Sequence, residues 1–278
     1  MRALLLLAMA VTNADAFDLQ GHRGARGHAP ENTLPGFERA LAFGVTTLEL
    51  DVGVTRDAVV VIHHDRRLNP DLARRPDGGW VAAPGPLIKD LSFEELQRYD
   101  VGRIRPGSEY AQHFPHQEPI DGTRIPRLSD LFKKSADRVR FNIETKVTAE
   151  APDETLPAEA FARVLIAEIR KAGVERRSTV QSFDWRTLKV VEREAPEIET
   201  SYLTGSRNSD PGKVHAAGGR IWSPDFRELD AAKAAAARRL GMKVIPWTVN
   251  ERGDIARMLQ LGVDGLISDY PDRVRDAL

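Results

Sequence analysis

The chain contains no cysteine. No disulfide can staple it, and no thiol can serve as nucleophile or soft metal ligand. Its fold has to rest on a buried apolar core, which 278 residues can supply. Charge of one sign is also missing, since 40 Lys and Arg face 41 Asp and Glu. That balance excludes the broad basic field of a nucleic-acid binder or of a protein held on an anionic membrane. Aromatic residues make up only 6%. The longest apolar run near the start, Ala3 to Val11, is too short to span a bilayer as a helix, so no stable membrane insertion is expected. With Arg2 before it and Ala14-Asp15-Ala16 after it, the run predicts a Sec-type signal peptide over 1–16 and an exported protein, periplasmic or secreted. Residues 17–278 then fit one large α/β domain.

What is present is a rhythm. Strands are expected to start near Phe17, Thr47, Val139, Ser178, Ile198, Arg220, Lys243 and Val263. Amphipathic helices such as PAEAFARVLIAEIRKAG separate most of them, with Asn32 or Thr33 capping the first. VVVIHH (59–64) reads as a hairpin extension of the second strand. Strand–helix alternation of this kind means a parallel sheet with helical crossovers. Eight units favour a (β/α)₈ TIM barrel, and the lack of a dinucleotide-type glycine fingerprint weakens an open doubly wound sheet. Residues from about 69 to 125 break the rhythm. They are rich in Pro, Gly and Asp, with a capped helix at Ser92 and a long ordered loop after it, and they predict a small inserted cover after strand two.

A barrel carries its chemistry at the C-terminal ends of its strands. Strand parity puts Glu49 and Asp51 on one side, and Asn142, Glu144 and Lys146 on one side. Three convergent carboxylates repel unless something positive joins them. An all-oxygen set predicts one hard divalent cation, Mg²⁺ or Ca²⁺; the plainer reading is pairing of Glu49 or Glu144 with Arg23 or Lys146. A cation flanked by Arg and Lys suits a phosphate, and two histidines near strand ends, His22 and one of His63 or His64, suit proton transfer in phosphodiester cleavage. Parity does not choose between the two neighbours. His28 and Arg26 are expected at the rim, and His113 and His116 in surface or local packing roles.

HRGARGHAPENTLPGF, LELDVGVTRD, VVIHHD, IETK, VQSFD, WTVN and VDGLISDYP, in that order, resemble the glycerophosphodiester phosphodiesterase family over nearly all of the chain except about 69–125. The resemblance implies a (β/α)₈ barrel that hydrolyses small-molecule glycerophosphodiesters to an alcohol and glycerol 3-phosphate. It places catalytic histidines at His22 and His64 and metal carboxylates at Glu49, Asp51 and Glu144. Phosphate-side cations fall at Arg23 and Lys146, and pocket positions at Gln181 and Trp247. The family's Arg after its His-Asp-x-x-Leu pattern is absent here, where position 70 is Pro. A phospholipase-type phosphodiesterase on the same barrel and a non-catalytic binder of phosphate esters are the rival expectations.

Overall fold

A computed structural model describes residues 17–206 and 209–278; the expected signal peptide lies outside the described residues. The strands are β1 (Asp18–Gly21), β2 (Thr47–Val54), β3 (Val60–Ile62), β4 (Arg140–Thr145), β5 (Ser178–Ser182), β6 (Glu199–Thr204), β7 (Ile221–Pro224), β8 (Lys243–Val244) and β9 (Gly265–Ser268). All but β3 form one parallel sheet in the order β8-β7-β6-β5-β4-β2-β1-β9, while β3 pairs antiparallel with β2 as the predicted hairpin. The two end strands are joined by backbone hydrogen bonds from Asp264 to Val244 and from Val249 to Ile267, 2.9 Å each. The sheet is thus a nearly closed barrel, as the alternation predicts. Pro246 follows β8 and has no N–H to give, which helps keep that strand to two residues.

The helices are α1 (Leu34–Ala42), α2 (Phe93–Leu96), α3 (Glu109–His113), α4 (Leu128–Lys134), α5 (Ala158–Ala172), α6 (Trp185–Glu194), α7 (Pro211–Ala216), α8 (Ala231–Arg239), α9 (Arg252–Gln260) and α10 (Pro271–Arg275). α5 shows why they dock. Phe161, Ala162, Leu165, Ile166 and Ile169 recur at helical spacing and are buried, and Gly173 ends the helix in the left-handed region at φ 66°. Leu48, Leu50 and Phe141 from the strands join Phe37 and Phe161 from the helices in the main core, all essentially without solvent contact. Each such side chain contributes about 1.5–3 kcal/mol by burial.

The segment between β3 and α4 carries a small core of its own, including Val61, Leu68, Val81, Leu96 and Ile125. Ser92 and Glu95 form the expected capping box at α2. α3 replaces part of what reads as loop in the sequence, and α4 follows that loop in a stretch to which the sequence reading assigns no element. α3 has Ser108 as its cap but is only a short turn, and α4 starts after Arg127 without a side-chain cap, so shortness hides the one and the lack of a capping side chain the other.

Candidate active site

The C-terminal ends of β1, β2, β4 and β5 build the site. Glu49 pairs in register with Asn142, Asp51 with Glu144, and Glu144 with Gln181. Period-two alternation therefore turns these side chains to one face, where a polar chain runs through the barrel. Asn142 donates to Gln20 at 2.8 Å and to Gln181 at 2.9 Å, and Gln181 donates to Glu49 at 2.7 Å. One ligand-type oxygen from each of Glu49, Asp51 and Glu144 lies within 4.8 Å of the others. All three are buried.

The loop leaving β1 folds back on this cluster. Gly24 has φ 90°, and a Cβ there would stand 2.7 Å from the backbone carbon of Gly36. Arg23 and Asn32 also occupy the left-handed region, at φ 51° and 54°. Non-glycine residues held there mark a backbone determined by its surroundings, often at a functional site. The Arg23 N–H donates to Glu49 at 2.9 Å, its Nε lies 3.3 Å from Asp51, and its Nη1 donates to Glu31 at 2.8 Å. Asn32 donates to Asp51 at 2.9 Å. Lys146 Nζ donates to Glu144 at 2.7 Å and to His64 Nε2 at 3.0 Å, and sits 3.5 Å from Asp51.

The two histidines are each held by an aspartate. His22 Nδ1 lies 2.7 Å from Asp269, leaving Nε2 directed toward Glu49 at 3.9 Å. His64 Nδ1 lies 2.6 Å from Asp65, which in turn accepts from Asn69 at 2.7 Å. Asn69, with Arg66 and Arg67 bound to Glu154 at 2.7 and 3.0 Å, braces the loop that lacks the family's arginine. His63 turns away, its Nδ1 2.8 Å from the Asp65 carbonyl under the inserted segment. The structure thus brings His64, not His63, to the site.

Electrostatics follow from burial and neighbours. Burial, and then Asp51 and Glu144, push the Glu49 carboxyl well above its usual range. Burial and Asp51 push Glu144 up to about 7 against the pull of Lys146. Asp51 goes the other way. Burial opposes its charge, but His64, Arg23 and Lys146 together hold it well below. Burial and the nearby Arg26 lower His22 to about 4, and burial with Arg23 lowers His64, so both imidazoles are neutral near pH 7. Neutral rings with Nδ1–H given to a carboxylate present a lone pair or a Lys-bound nitrogen at Nε2.

The carboxylate trio can hold a divalent cation. Its donors are all oxygen, and Asp51 Oδ1 is buried without a hydrogen-bond partner, with Lys146 Nζ 3.5 Å away, which leaves it free to act as a ligand atom. Around it lies a cavity of about 230 Å³, whose walls include His22, Arg23, Glu49, His64, Glu144, Lys146, Gln181 and Trp247 but not Asp51. It opens beside a groove of about 760 Å³ that shares Glu144, Lys146, Phe183 and Leu203. Gln181 spends its amide on Glu49 and Asn142. Trp247 packs on Ile221, Ile245 and Ile267, meets Phe183 edge-on at 5.3 Å, and still lines the cavity.

The glycerophosphoryl diester phosphodiesterase family model matches residues 22–273. The chain belongs to that family. A glycerophosphodiester phosphodiesterase of Bacillus altitudinis is 31% identical over 257 residues, covering 91% of this chain and 94% of its own. One from Caldanaerobacter subterraneus is 28% identical, covering 90% and 93%. A solved structure from Silicibacter pomeroyi, provisionally named a glycerophosphoryl diester phosphodiesterase, superposes with a TM-score of 0.88 at 34% identity over 93% of this chain and 92% of its own. The family is one of hydrolases, and this member is an enzyme on a TIM barrel. Among the described residues no helix is long and apolar enough to cross a membrane.

Several residues of the site escape sequence reading. Asp269 is one; it sits just after β9 and meets His22 only because the barrel brings its last strand beside its first. A carboxylate at the exit of the last strand was the available signal. Arg26, expected at the rim, instead lines the cavity and grips Asp269 through Nε at 2.8 Å and Nη2 at 3.1 Å. Burying it is tolerable because its charge is matched there. His28 faces Asp272 at 2.8 Å, outside the cavity.

Proposed function

We propose that this enzyme cleaves glycerophosphodiesters to an alcohol and glycerol 3-phosphate, with a divalent cation, Mg²⁺ or Ca²⁺, held by Glu49, Asp51 and Glu144. The supporting observation is the juxtaposition of that acidic trio with two aspartate-held neutral imidazoles around one cavity. The cation supplies electrophilic polarisation of the phosphoryl oxygens. Arg23 and Lys146 add fixed positive charge where negative charge builds on phosphorus. One of His22 and His64 takes the proton of the attacking oxygen, that of water or first of a substrate hydroxyl with water following, as the P–O bond to it forms. The other, which must enter this step protonated at Nε2, gives that proton to the alcohol oxygen as its P–O bond breaks. Asp269 and Asp65 keep each ring in the tautomer that leaves Nε2 for this exchange.

Gln181 orients Glu49, and Trp247 offers an apolar wall to the glycerol carbons. The adjoining groove receives the alcohol portion, and the segment 69–125 covers one side of the site. Residues 1–16 direct export to the periplasm or beyond. The test is release of glycerol 3-phosphate from a panel of glycerophosphodiesters, with chelator and after Mg²⁺ or Ca²⁺ is restored. Turnover that survives complete chelation would remove the cation from the reading. Ligand binding with no turnover under any cation would make the chain a binding protein.

A further inference from the structure

The cover segment does more than lie over the barrel. Gln117 donates to the Arg26 carbonyl at 2.7 Å, and the Glu118 N–H donates to the His28 carbonyl at 3.0 Å. Phe114 stacks under the Arg26 guanidinium at 4.6 Å. Tyr110, from α3, is bonded through its hydroxyl to Glu31 and accepts from Arg26 Nη1 at 3.2 Å. The second oxygen of Glu31 takes Arg23 Nη1 at 2.8 Å. Arg26 in turn holds Asp269, and Asp269 holds His22. A single hydroxyl therefore joins two lines of contact, one ending on the Arg23 cation and one on the His22 ring. Long cationic side chains lose much rotamer freedom when fixed, so such anchors decide whether the guanidinium stands ready before substrate arrives.

We propose that Tyr110 is a positioning residue, its hydroxyl fixing Arg23 through Glu31 and the Asp269–His22 pair through Arg26, so that the inserted segment completes the phosphate site. The inference rests on reading Arg23 as a phosphate contact. Tyr110→Phe keeps the ring against Phe114, at 5.3 Å, and removes only the hydroxyl. On the full chain with Mg²⁺, calorimetry with sn-glycerol 3-phosphate and with inorganic phosphate is expected to show affinity weakened about tenfold, the scale of one hydrogen bond to a charged group. kcat/KM should fall at least as far, with the thermal midpoint lowered by several degrees at most.

Glu31→Gln should weaken phosphate affinity alike, and in that measurement the double variant should be no worse than Glu31→Gln alone, since the line to Arg23 runs through both groups; turnover can fall further in the double variant, because the hydroxyl also holds Arg26. Glu118→Ala breaks an exposed ion pair with Arg39 and serves as the control expected to change neither measurement. Product affinity and kcat/KM within about twofold of wild type for Tyr110→Phe, well below the scale of such a bond, would overturn the proposal. So would additive losses of phosphate affinity in the double variant, or an equal loss in Glu118→Ala, which would assign the effect to docking of the segment. A wild-type chain that hydrolyses no glycerophosphodiester sinks the reading of the site instead, while the phosphate-binding comparison between variants still stands on its own.

Discussion

Asp269→Asn exchanges one carboxylate oxygen for an amide nitrogen at a position where every neighbouring group donates. The side chain accepts from His22 Nδ1 at 2.7 Å, Arg26 Nε at 2.8 Å, Arg26 Nη2 at 3.1 Å and Asn250 Nδ2 at 2.7 Å. Whichever way the amide is turned, its NH₂ faces a donor. Asp269 is only 1% exposed, and the attraction of Arg26 and His22 overcomes burial to hold this carboxyl far below its ordinary range. Removing one partner of a buried pair costs about 3–5 kcal/mol. The lower end applies here, because Arg26 keeps Tyr110 as an acceptor. At about 2–4 °C per kcal/mol for a large domain, the midpoint of thermal unfolding should fall by about 10 °C. Turnover should fall by about 10²-fold or more, because His22 loses the acceptor that keeps Nε2 free for proton exchange. Circular dichroism melts and initial rates of glycerol 3-phosphate release, both at neutral pH, measure the two effects. A melt lowered as expected with turnover unchanged would show that Asp269 only holds the barrel together. A melt within about 2 °C of wild type would refute the electrostatic argument itself.

His64→Ala should cost about 10²-fold or more in turnover, while His63→Ala, whose ring is turned to the Asp65 carbonyl away from the cavity, should keep most of it; kinetics showing the reverse would overturn the placement of His64. In the cation-free protein His22 should make a contribution to stability that acid removes in a defined window, opposite in sign to the contributions of Glu49 and Glu144. His22 titrates at about 4 when folded and 6.5 when not. Between those values the unfolded chain binds the extra proton at this residue, so the His22 contribution is full above the upper value and falls as pH drops toward the lower. The loss attributable to this residue reaches about 3 kcal/mol. Denaturant titrations of wild type and His22→Gln across the window measure it, and equal slopes in the two proteins would show that His22 does not carry the effect.

Much of the fold was legible because it rests on periodicity. Each of the eight parallel strands begins within a residue or two of its expected start, since β-branched and alternating runs are local properties of the chain. Capping was legible for the same reason at Ser92–Glu95. At α1 the sequence left Asn32 and Thr33 as alternatives, and only Thr33 caps, accepting from Gly36 at 3.2 Å, because Asn32 is drawn to Asp51. α3 and α4 were not legible, as one is barely a turn and the other begins on an arginine. His63 and His64 could not be ranked by alternation because β3 ends at Ile62, and the pair lies beyond any strand.

The parts of the site that were missed share a cause. Glu49, Asp51, Glu144 and Gln181 come from strands, where parity alone converts sequence into direction. Asp269 and Tyr110 act on His22 and Glu31 across 247 and 79 residues of chain. The first contact exists because the barrel closes, and the second because an inserted segment docks on the loop after β1. Neither event leaves a periodic mark. Both supply a group that holds another group: Asp269 grips a ring and a guanidinium, and Tyr110 grips a carboxylate and the same guanidinium. The charged residues that face the cavity are thus set by short-range strand geometry, while their orientation depends on closure and docking. A change in the inserted segment, or at the exit of the last strand, should therefore alter how well the acidic trio and the imidazoles are aligned without altering which residues are there.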